Sequence, residues 1–212
     1  MKYKVYNILP EYGTNTILLW DEESKEAILI DPAKTSHSLY NEINKFDLTV
    51  KYIVNTHGHA DHIGGNSYFK DKFKCPIMIH SLDQEMLLDS KKNLSAFMGD
   101  DIVSPKADII LKEGDEIKIG KSSLKVIHTP GHTEGGISLY GEGILISGDT
   151  LFQLSVGRTD FPGGSFPAIE KSIKEKLFKL PDETIVIPGH GGFTSIDREK
   201  LENPFIGLAS RI

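Results

Sequence analysis

Side chains that bind metal ions are concentrated in one short stretch of this sequence. Residues 56–65 read Thr-His-Gly-His-Ala-Asp-His-Ile-Gly-Gly and contain four metal-ligand types: His57, His59, Asp61 and His62. His57 and His59 are two residues apart, so an extended backbone presents both imidazoles on one side. The two glycines that follow let the chain turn tightly. Imidazole and carboxylate groups at this spacing are ligands for zinc, iron or manganese.

Three more residues of ligand type lie downstream, and a local cluster needs them to surround a metal ion. They are His132, Asp149 and His190, and each follows a short apolar run, as the first cluster does. The four runs are residues 50–54, 124–127, 144–146 and 185–187. Because ligands in layered α/β proteins collect beyond the strand ends, we expect all seven residues to meet there. Five histidines and two aspartates exceed the needs of one tetrahedral metal, so we predict two metal ions that share a carboxylate.

The composition is that of an ordinary globular protein with a full-sized core, since 39% of the residues are hydrophobic and 25% are charged. A net charge of -6 argues against a nucleic-acid partner, which would require a basic face. The single cysteine, Cys75, cannot form an internal disulfide and suits a reducing compartment. With neither a signal-peptide pattern nor an apolar run of membrane-spanning length, we expect a cytoplasmic protein without a membrane partner.

The elements that must position these residues are short strands with a few helices between them. Strands are predicted at residues 3–9, 14–20, 26–30, 51–54, 76–79, 116–119, 123–127, 137–140, 144–146 and 184–187. Helices are predicted at residues 36–46, 64–69, 84–88 and 165–180, with a short last one from Ser195. Each half of the chain contains several strands and then a helix. We therefore predict one domain, residues 1–212, built as two stacked sheets with helices outside.

The ligand-type residues and their neighbours resemble the motifs of the metallo-β-lactamase fold over nearly the whole chain. The motifs are Thr-His-x-His-x-Asp-His at residues 56–62, Gly131-His132, Gly148-Asp149 and Gly189-His190. The resemblance implies an α/β protein with a four-layer αββα sandwich and a metal site at one edge of its sheets. It also implies two metal ions, which divide the ligands as follows: His57, His59 and His132 for the first, Asp61, His62 and His190 for the second, and Asp149 as the bridge.

Two further segments are similar to the short bacterial branch of glyoxalase II, the hydroxyacylglutathione hydrolases. They are Gly-Asp-Thr-Leu-Phe at residues 148–152 and Gly-Arg-Thr-Asp-Phe-Pro-Gly-Gly at residues 157–164. This resemblance implies hydrolysis of a small-molecule thioester such as S-lactoylglutathione by a hydroxide that bridges two divalent cations, which we take to be zinc, with iron or manganese as alternatives. Glyoxalase II has a further helical domain that grips glutathione. The 212 residues do not include it, so the carrier thiol stays open.

Five residues have expected roles in catalysis or substrate binding. Asp149 and Asp61 are the catalytic carboxylates, the first as the bridge and the second orienting the hydroxide. Arg158 stands where the family has a basic residue near the substrate, and it either binds a substrate carboxylate or forms a structural salt bridge. Phe152 and Phe161 either line the pocket or pack within their loops.

Several other polar residues need an interpretation. Asp31 directly follows a predicted strand, and it either orients the ligand loop or caps the next turn. His128 lies four residues before His132, and we favour a role outside the site. Residues 91–105 show no clear period and form either a loop over the site or an irregular surface. His37 and His80 are expected to be structural or solvated, and Met86 and Met98 are expected to serve packing.

Other functions are compatible with the same motifs. Persulfide dioxygenases are similar over residues 157–161 and hold one iron with two histidines and an aspartate, here His57, His132 and Asp149. That use leaves the remaining ligands without a metal, which disfavours it. A β-lactamase, a lactonase and an RNA nuclease are rivals of the same fold, and the acidic charge weighs against the nuclease. A metal-binding module without catalysis is a further alternative, and the sequence leaves the oligomeric state open.

Overall fold

The computed structural model describes residues 1–208, and its centre consists of two six-stranded sheets. The last four positions of the predicted domain, 209–212, lie outside the described residues. Antiparallel pairing joins the first three strands of the first sheet, and parallel pairing joins the rest. In spatial and chain order its strands are β1 (Lys2–Leu9), β2 (Thr14–Trp20), β3 (Glu26–Ile30), β4 (Thr49–Val54), β5 (Ile77–His80) and β6 (Ile109–Leu111).

The second sheet has the spatial order β14-β13-β10-β9-β8-β7. Its one parallel pair joins β10 to β13, and its other pairs are antiparallel. Its strands are β7 (Glu116–Ile119), β8 (Ser122–His128), β9 (Ile137–Gly141), β10 (Ile144–Gly148), β13 (Ile185–Pro188) and β14 (Thr194–Ser195). A small separate hairpin consists of β11 (Leu151–Phe152) and β12 (Ser155–Val156).

Five α-helices accompany the sheets: α1 (His37–Lys45), α2 (Ala60–Ile63), α3 (Asn66–Phe73), α4 (Phe166–Glu175) and α5 (Ile196–Glu202). Serine caps begin two of them. Ser36 Oγ accepts a hydrogen bond from the backbone of Leu39, and Ser165 Oγ accepts one from Ala168. Within residues 1–208, no helix combines the length and the apolar character that a membrane crossing requires.

The layers follow from which face each side chain occupies. Along β2, Ile17 and Leu19 join a core between the two sheets, while Leu18 points to a second core that includes Ile43 of α1. A third core covers the outer face of the second sheet and includes Ile169 of α4. Strands buried on both faces are apolar at successive positions, which explains the continuous runs in the sequence. The predicted four-layer αββα sandwich of the α/β class is confirmed.

Three predicted helices have different bounds in the structure. The helix predicted at 165–180 ends at Glu175 and continues as a 3-10 turn, Leu177–Lys179. Leu180 is extended and precedes a proline, which disfavours helical backbone at that position. The segment predicted as a helix at 84–88 is a 3-10 helix, Ser81–Leu87, a form common in short connectors. The helix predicted at 64–69 begins at Asn66, and the one-turn helix α2 comes before it.

Candidate metal centre

The predicted ligands follow four strands whose ends meet at one edge of the two sheets. His57 and His59 lie in the loop after β4, and Asp61 and His62 lie in the α2 turn that follows. The other three come after strands of the second sheet: His132 after β8, Asp149 after β10 and His190 after β13. The structure therefore brings all seven residues together, with four from the first sheet's connections and three from the second's.

The seven side chains form overlapping groups whose nitrogen and oxygen atoms face one another. We call His57, His59 and His132 the first group, and Asp61, His62 and His190 the second group. Within each group the potential ligand atoms all lie within 4.8 Å of one another. The distance from His59 Nδ1 to His132 Nε2 is 2.9 Å, and that from His62 Nε2 to His190 Nε2 is 3.2 Å.

Asp149 lies between the two groups. Its Oδ1 is 3.5 Å from His62 Nε2 in the second group. Its Oδ2 is 3.5 Å from His132 Nε2 in the first group and 3.3 Å from His190 Nε2 in the second. Asp149 Oδ1 and His57 Nε2 are buried and have no hydrogen-bond partner in the protein. Such unpaired buried atoms are costly, and divalent cations held between them would satisfy both. The donor set therefore fits two metal ions.

Hydrogen bonds to the outer ring nitrogens aim three of the imidazoles. His62 Nδ1 is 3.0 Å from Asp31 Oδ2. His132 Nδ1 is 2.8 Å from the carbonyl oxygen of Arg158, and His190 Nδ1 is 2.9 Å from that of Tyr12. Each Nδ1 donates to its oxygen, so each Nε2 faces the site and offers a lone pair there whenever the ring is neutral. This arrangement is typical of histidines that bind metals.

Asp31 anchors the ligand loop after β4. Its buried carboxylate accepts hydrogen bonds from the Thr56 backbone at 2.8 Å and the Thr56 hydroxyl at 2.6 Å, in addition to the His62 ring. Its backbone has a φ of 48°, a conformation that L-residues rarely adopt. These contacts favour the orienting role for Asp31 over the turn cap.

Asp83 is a second anchor, and it is not among the residues predicted to belong to the site. It is buried and accepts hydrogen bonds from the Gly58 backbone at 3.1 Å, the Thr133 hydroxyl at 2.7 Å and the Gly135 backbone at 2.7 Å. It therefore joins the loop that carries His57 and His59 to the loop that carries the histidine at position 132. In the sequence it stands near the start of a predicted helix, where an aspartate is unremarkable.

Two glycines let the backbone approach the carboxylate and ligand loops closely. A Cβ at Gly189 would lie 2.1 Å from Asp149 Oδ1 and 2.9 Å from a carbon of the His62 ring. A Cβ at Gly148 would lie 2.6 Å from the Thr56 hydroxyl, and the φ of this residue is +50°. Any side chain at Gly189 would occupy space that the ligands need.

The two groups differ in electrostatics in the metal-free protein. Burial is the main cause that lowers the pKa of His57 well below its usual value and that of His59 to about 3. Burial also opposes the charging of His62, but Asp61 and Asp149 outweigh it and raise its pKa to about 9. The same two carboxylates raise the pKa of His190 to about 11 against the effect of burial. In the metal-free protein His57 and His59 are thus neutral, whereas His62 and His190 are cations paired with carboxylates.

A cavity of about 690 Å³ opens beside the two groups. Its wall includes the predicted substrate residues Arg158, Phe152 and Phe161. The Arg158 guanidinium forms two hydrogen bonds to Asp160, at 2.8 and 2.7 Å, so the predicted structural salt bridge is present. Met98 also lines the cavity with 48% of its surface exposed. Met98 was expected to serve packing, but it lies in the irregular segment that borders the site and leaves about half of its surface open to the cavity.

The remaining histidines lie apart from both groups. His128 stacks on His80 with ring centroids 4.2 Å apart, and its Nε2 is 2.8 Å from the carbonyl oxygen of Glu134. His37 is 2.9 Å from the hydroxyl of Tyr68. These contacts agree with the structural roles expected for all three.

Comparison with known proteins places the chain in a family. A family model for the metallo-beta-lactamase superfamily matches residues 9–190. The hydroxyacylglutathione hydrolase GloC of Haemophilus influenzae is 35% identical over 210 residues, which cover 94% of this chain and 95% of that protein.

Solved structures show the same similarity. The BLEG-1 B3 metallo-beta-lactamase has a TM-score of 0.91 at 37% identity, covering 97% of this chain and 99% of that one. ETHE1 from Myxococcus xanthus has a TM-score of 0.82 at 30% identity, covering 97% of this chain and 84% of that one. The protein TTHA1623, solved in a di-iron-bound form, has a TM-score of 0.81 at 31% identity, covering 97% of this chain and 100% of that one. The chain belongs to the metallo-β-lactamase superfamily.

Proposed function

We propose that this protein is a metal-dependent hydrolase that cleaves thioesters with two divalent cations. The observation that carries the proposal is the complete second group, Asp61, His62 and His190, facing the first across Asp149. A reaction that used one metal ion would not require it. The 35% identity to a hydroxyacylglutathione hydrolase along nearly the whole chain supports a thioester as the bond cleaved.

The chemistry expected of the cations is well defined. When bound, divalent cations polarise a carbonyl and make a deprotonated water available at neutral pH. We propose that His57, His59 and His132 hold the first cation, that the second group holds the other, and that Asp149 contacts both. Zinc is our first choice, and the di-iron form of TTHA1623 keeps iron as an alternative.

The protein's own residues prepare the reaction in the cavity. Asp61 borders the cavity, and Thr14 donates a 2.9 Å hydrogen bond to its Oδ2, so one carboxylate oxygen is held in place. We propose that Asp61 accepts a hydrogen bond from the attacking water and orients it toward the thioester carbonyl. A carbon–oxygen bond then forms, the carbon–sulfur bond breaks, and the products are a carboxylic acid and a thiol. The substrate is a small molecule, and we propose that the reaction takes place in the cytoplasm, where the free Cys75 suits a reducing environment.

Two other activities have specific support. ETHE1 from Myxococcus xanthus is similar in structure, which fits the single-iron persulfide dioxygenase alternative. The BLEG-1 B3 metallo-beta-lactamase is similar too, which fits lactam hydrolysis. The dioxygenase would leave the second group without a role. Neither alternative explains the similarity to GloC as directly as thioester hydrolysis does.

The test combines metal analysis of the purified protein with three assays on the same preparation. They are release of thiol from S-D-lactoylglutathione, hydrolysis of nitrocefin, and oxygen consumption with glutathione persulfide. We expect about two metal ions per chain and thiol release that His190→Ala abolishes and the matched control His37→Ala leaves unchanged. Oxygen consumption without thiol release would establish the dioxygenase instead. Metal binding without turnover of any thioester, lactone or lactam would establish a non-catalytic module.

A further inference from the structure

The wall of the cavity contains large apolar side chains, two of which are largely exposed. Phe97 and Met98 end a short 3-10 helix, Ser95–Met98, and are 75% and 48% exposed. Both face the cavity, which Phe152 and Phe161 also line. Single exposed apolar residues are common on protein surfaces, but a group of them beside a reactive centre indicates a ligand with an apolar part.

The cavity has little unpaired positive charge to offer. Arg158 is the one lysine or arginine among its lining residues in the described part of the chain. The guanidinium of Arg158 already has two partners. It donates two hydrogen bonds to Asp160, and it lies 3.7 Å from the centre of the Phe161 ring. The net charge of this pair is zero. A carboxylate on the substrate would have to compete with Asp160 for the arginine.

We propose that the preferred substrate is an uncharged thioester with an apolar group that packs on the wall formed by Phe97, Met98, Phe152 and Phe161. This inference rests on the proposed thioester hydrolysis and narrows its substrate class. Glutathione carries two carboxylates, and the cavity lining in the described part of the chain offers them no unpaired lysine or arginine. In contrast, the affinity of the protein for an apolar substrate chain rises with each carbon atom of that chain that is buried against the wall.

The chain-length dependence of kcat/KM tests the inference directly. One series varies the acyl group as acetyl, butanoyl and hexanoyl thioesters of N-acetylcysteamine, which is uncharged. A second series varies the thiol as acetyl thioesters of ethanethiol, butanethiol and hexanethiol. Burial of each methylene raises affinity by up to about fourfold, so we expect kcat/KM to rise along one series. The series that rises shows which side of the carbonyl carries the apolar group.

Two variants test the two parts of the inference, the apolar wall and the pairing of Arg158 with Asp160. Phe97→Ala should flatten the rising series, whereas Phe205→Ala, an equally simple truncation of a half-exposed ring away from the cavity, should not. Asp160→Asn releases the arginine, so kcat/KM for S-D-lactoylglutathione should rise by about threefold to fivefold relative to the uncharged substrates. Asp71→Asn is its matched control, because Asp71, like Asp160, is an exposed carboxylate with a cationic partner, in this case Lys74.

The outcomes separate this inference from the function on which it rests. If thioesters are hydrolysed but neither series rises, or if Phe97→Ala leaves the slope intact, the apolar wall does not select the substrate. An unchanged substrate ratio in Asp160→Asn would refute the charge argument. If the metal-loaded protein hydrolyses no thioester at all, the proposed function itself fails.

Discussion

The two ligand groups use different physical means to hold similar atoms. The first group consists of three buried imidazoles, and Asp83 ties together the two loops that carry them. The second group includes a carboxylate, and two of its three members are nearer to solvent: Asp61 and His190 have side-chain exposures of 15% and 27%, whereas His62 is fully buried. Its anchors are Asp31, the Thr14 hydroxyl and a backbone carbonyl of the β1–β2 turn.

This difference indicates that the two groups have different roles in metal binding and catalysis. His57 and His59 are buried and have lowered pKa values, so they bind a cation without losing protons. The first group should therefore hold its metal ion at lower pH and more tightly. The second group must exchange protons for metal, and Asp61 presents its carboxylate to the cavity. The second group is therefore better placed to handle water and substrate.

Asp149 belongs to both groups, so its removal should have the largest effect. We expect Asp149→Ala to lower kcat by about a thousandfold or more, because the carboxylate between the groups is lost. The measurement is thioester turnover together with metal content. Wild-type turnover at full metal loading would show that the dinuclear arrangement is not needed.

Acidification should affect the second group far more than the first. Imidazoles bind metals only when neutral, and pKa values of about 9 for His62 and about 11 for His190 mean that both are protonated at pH 7 in the metal-free protein. Two protons must leave, so affinity should rise by up to about a hundredfold per pH unit below pH 9. His57 and His59, with lowered pKa values, release none.

Calorimetry in buffers of different ionisation enthalpy measures this proton release. His190→Ala, which leaves the first group intact, serves as the control and should bind one metal ion with a weaker dependence on pH. Equal proton release on loading either group would contradict the contrast between neutral and charged histidines.

Substitution of the two anchors should weaken the two groups separately. Both oxygens of Asp83 accept hydrogen bonds, as do both oxygens of Asp31, so an asparagine cannot replace either carboxylate. We expect Asp83→Asn to lower mainly the metal affinity of the first group. Asp31→Asn should lower mainly that of the second, because Asp31 bonds directly to His62 and reaches His57 only through Thr56. Each loss should be about 10- to 100-fold. Competition with a chelator measures both. Equal losses from both groups in either variant would show that the anchors are not specific.

Removal of the metals should lower the thermal stability of the protein, and this is the smallest of the expected effects. Ligand at a thousandfold excess over its dissociation constant adds about 4 kcal/mol to the free energy of unfolding. For a chain of this size, that corresponds to a Tm decrease of roughly 10 °C when the metals are chelated. Differential scanning calorimetry measures the shift, and the second group should empty first. A Tm that chelation leaves unchanged would argue against metal binding in the folded protein.

Much of this site was predictable because the signal is local and repeated. Four apolar runs end in glycine- or proline-rich turns with a ligand-type residue, and the strands place these turns at one edge. Asp31 was a candidate for the same reason, since it directly follows β3. The resemblance to family motifs added the division into two groups.

Other features depend on contacts between distant parts of the chain and leave little local trace. Asp83 bonds to residues that are 25 and 50 positions away, so its role appears only once the loops meet. The exposed side chain of Met98 looks like a core residue in sequence, because hydrophobicity alone does not show which side of a loop faces a cavity. β6 escaped prediction because it has three residues at a sheet edge with little periodicity.

The origin of the seven ligands in both sheets has a consequence for the whole molecule. Cations that touch both halves would oppose any separation of the two sheets, and thermodynamic linkage makes the effect mutual. A packing defect in the core between the sheets, such as truncation of Ile17 or Leu139, would then lower metal retention without touching a ligand. The metal content of a purified variant would thus report on the quality of its distant interior.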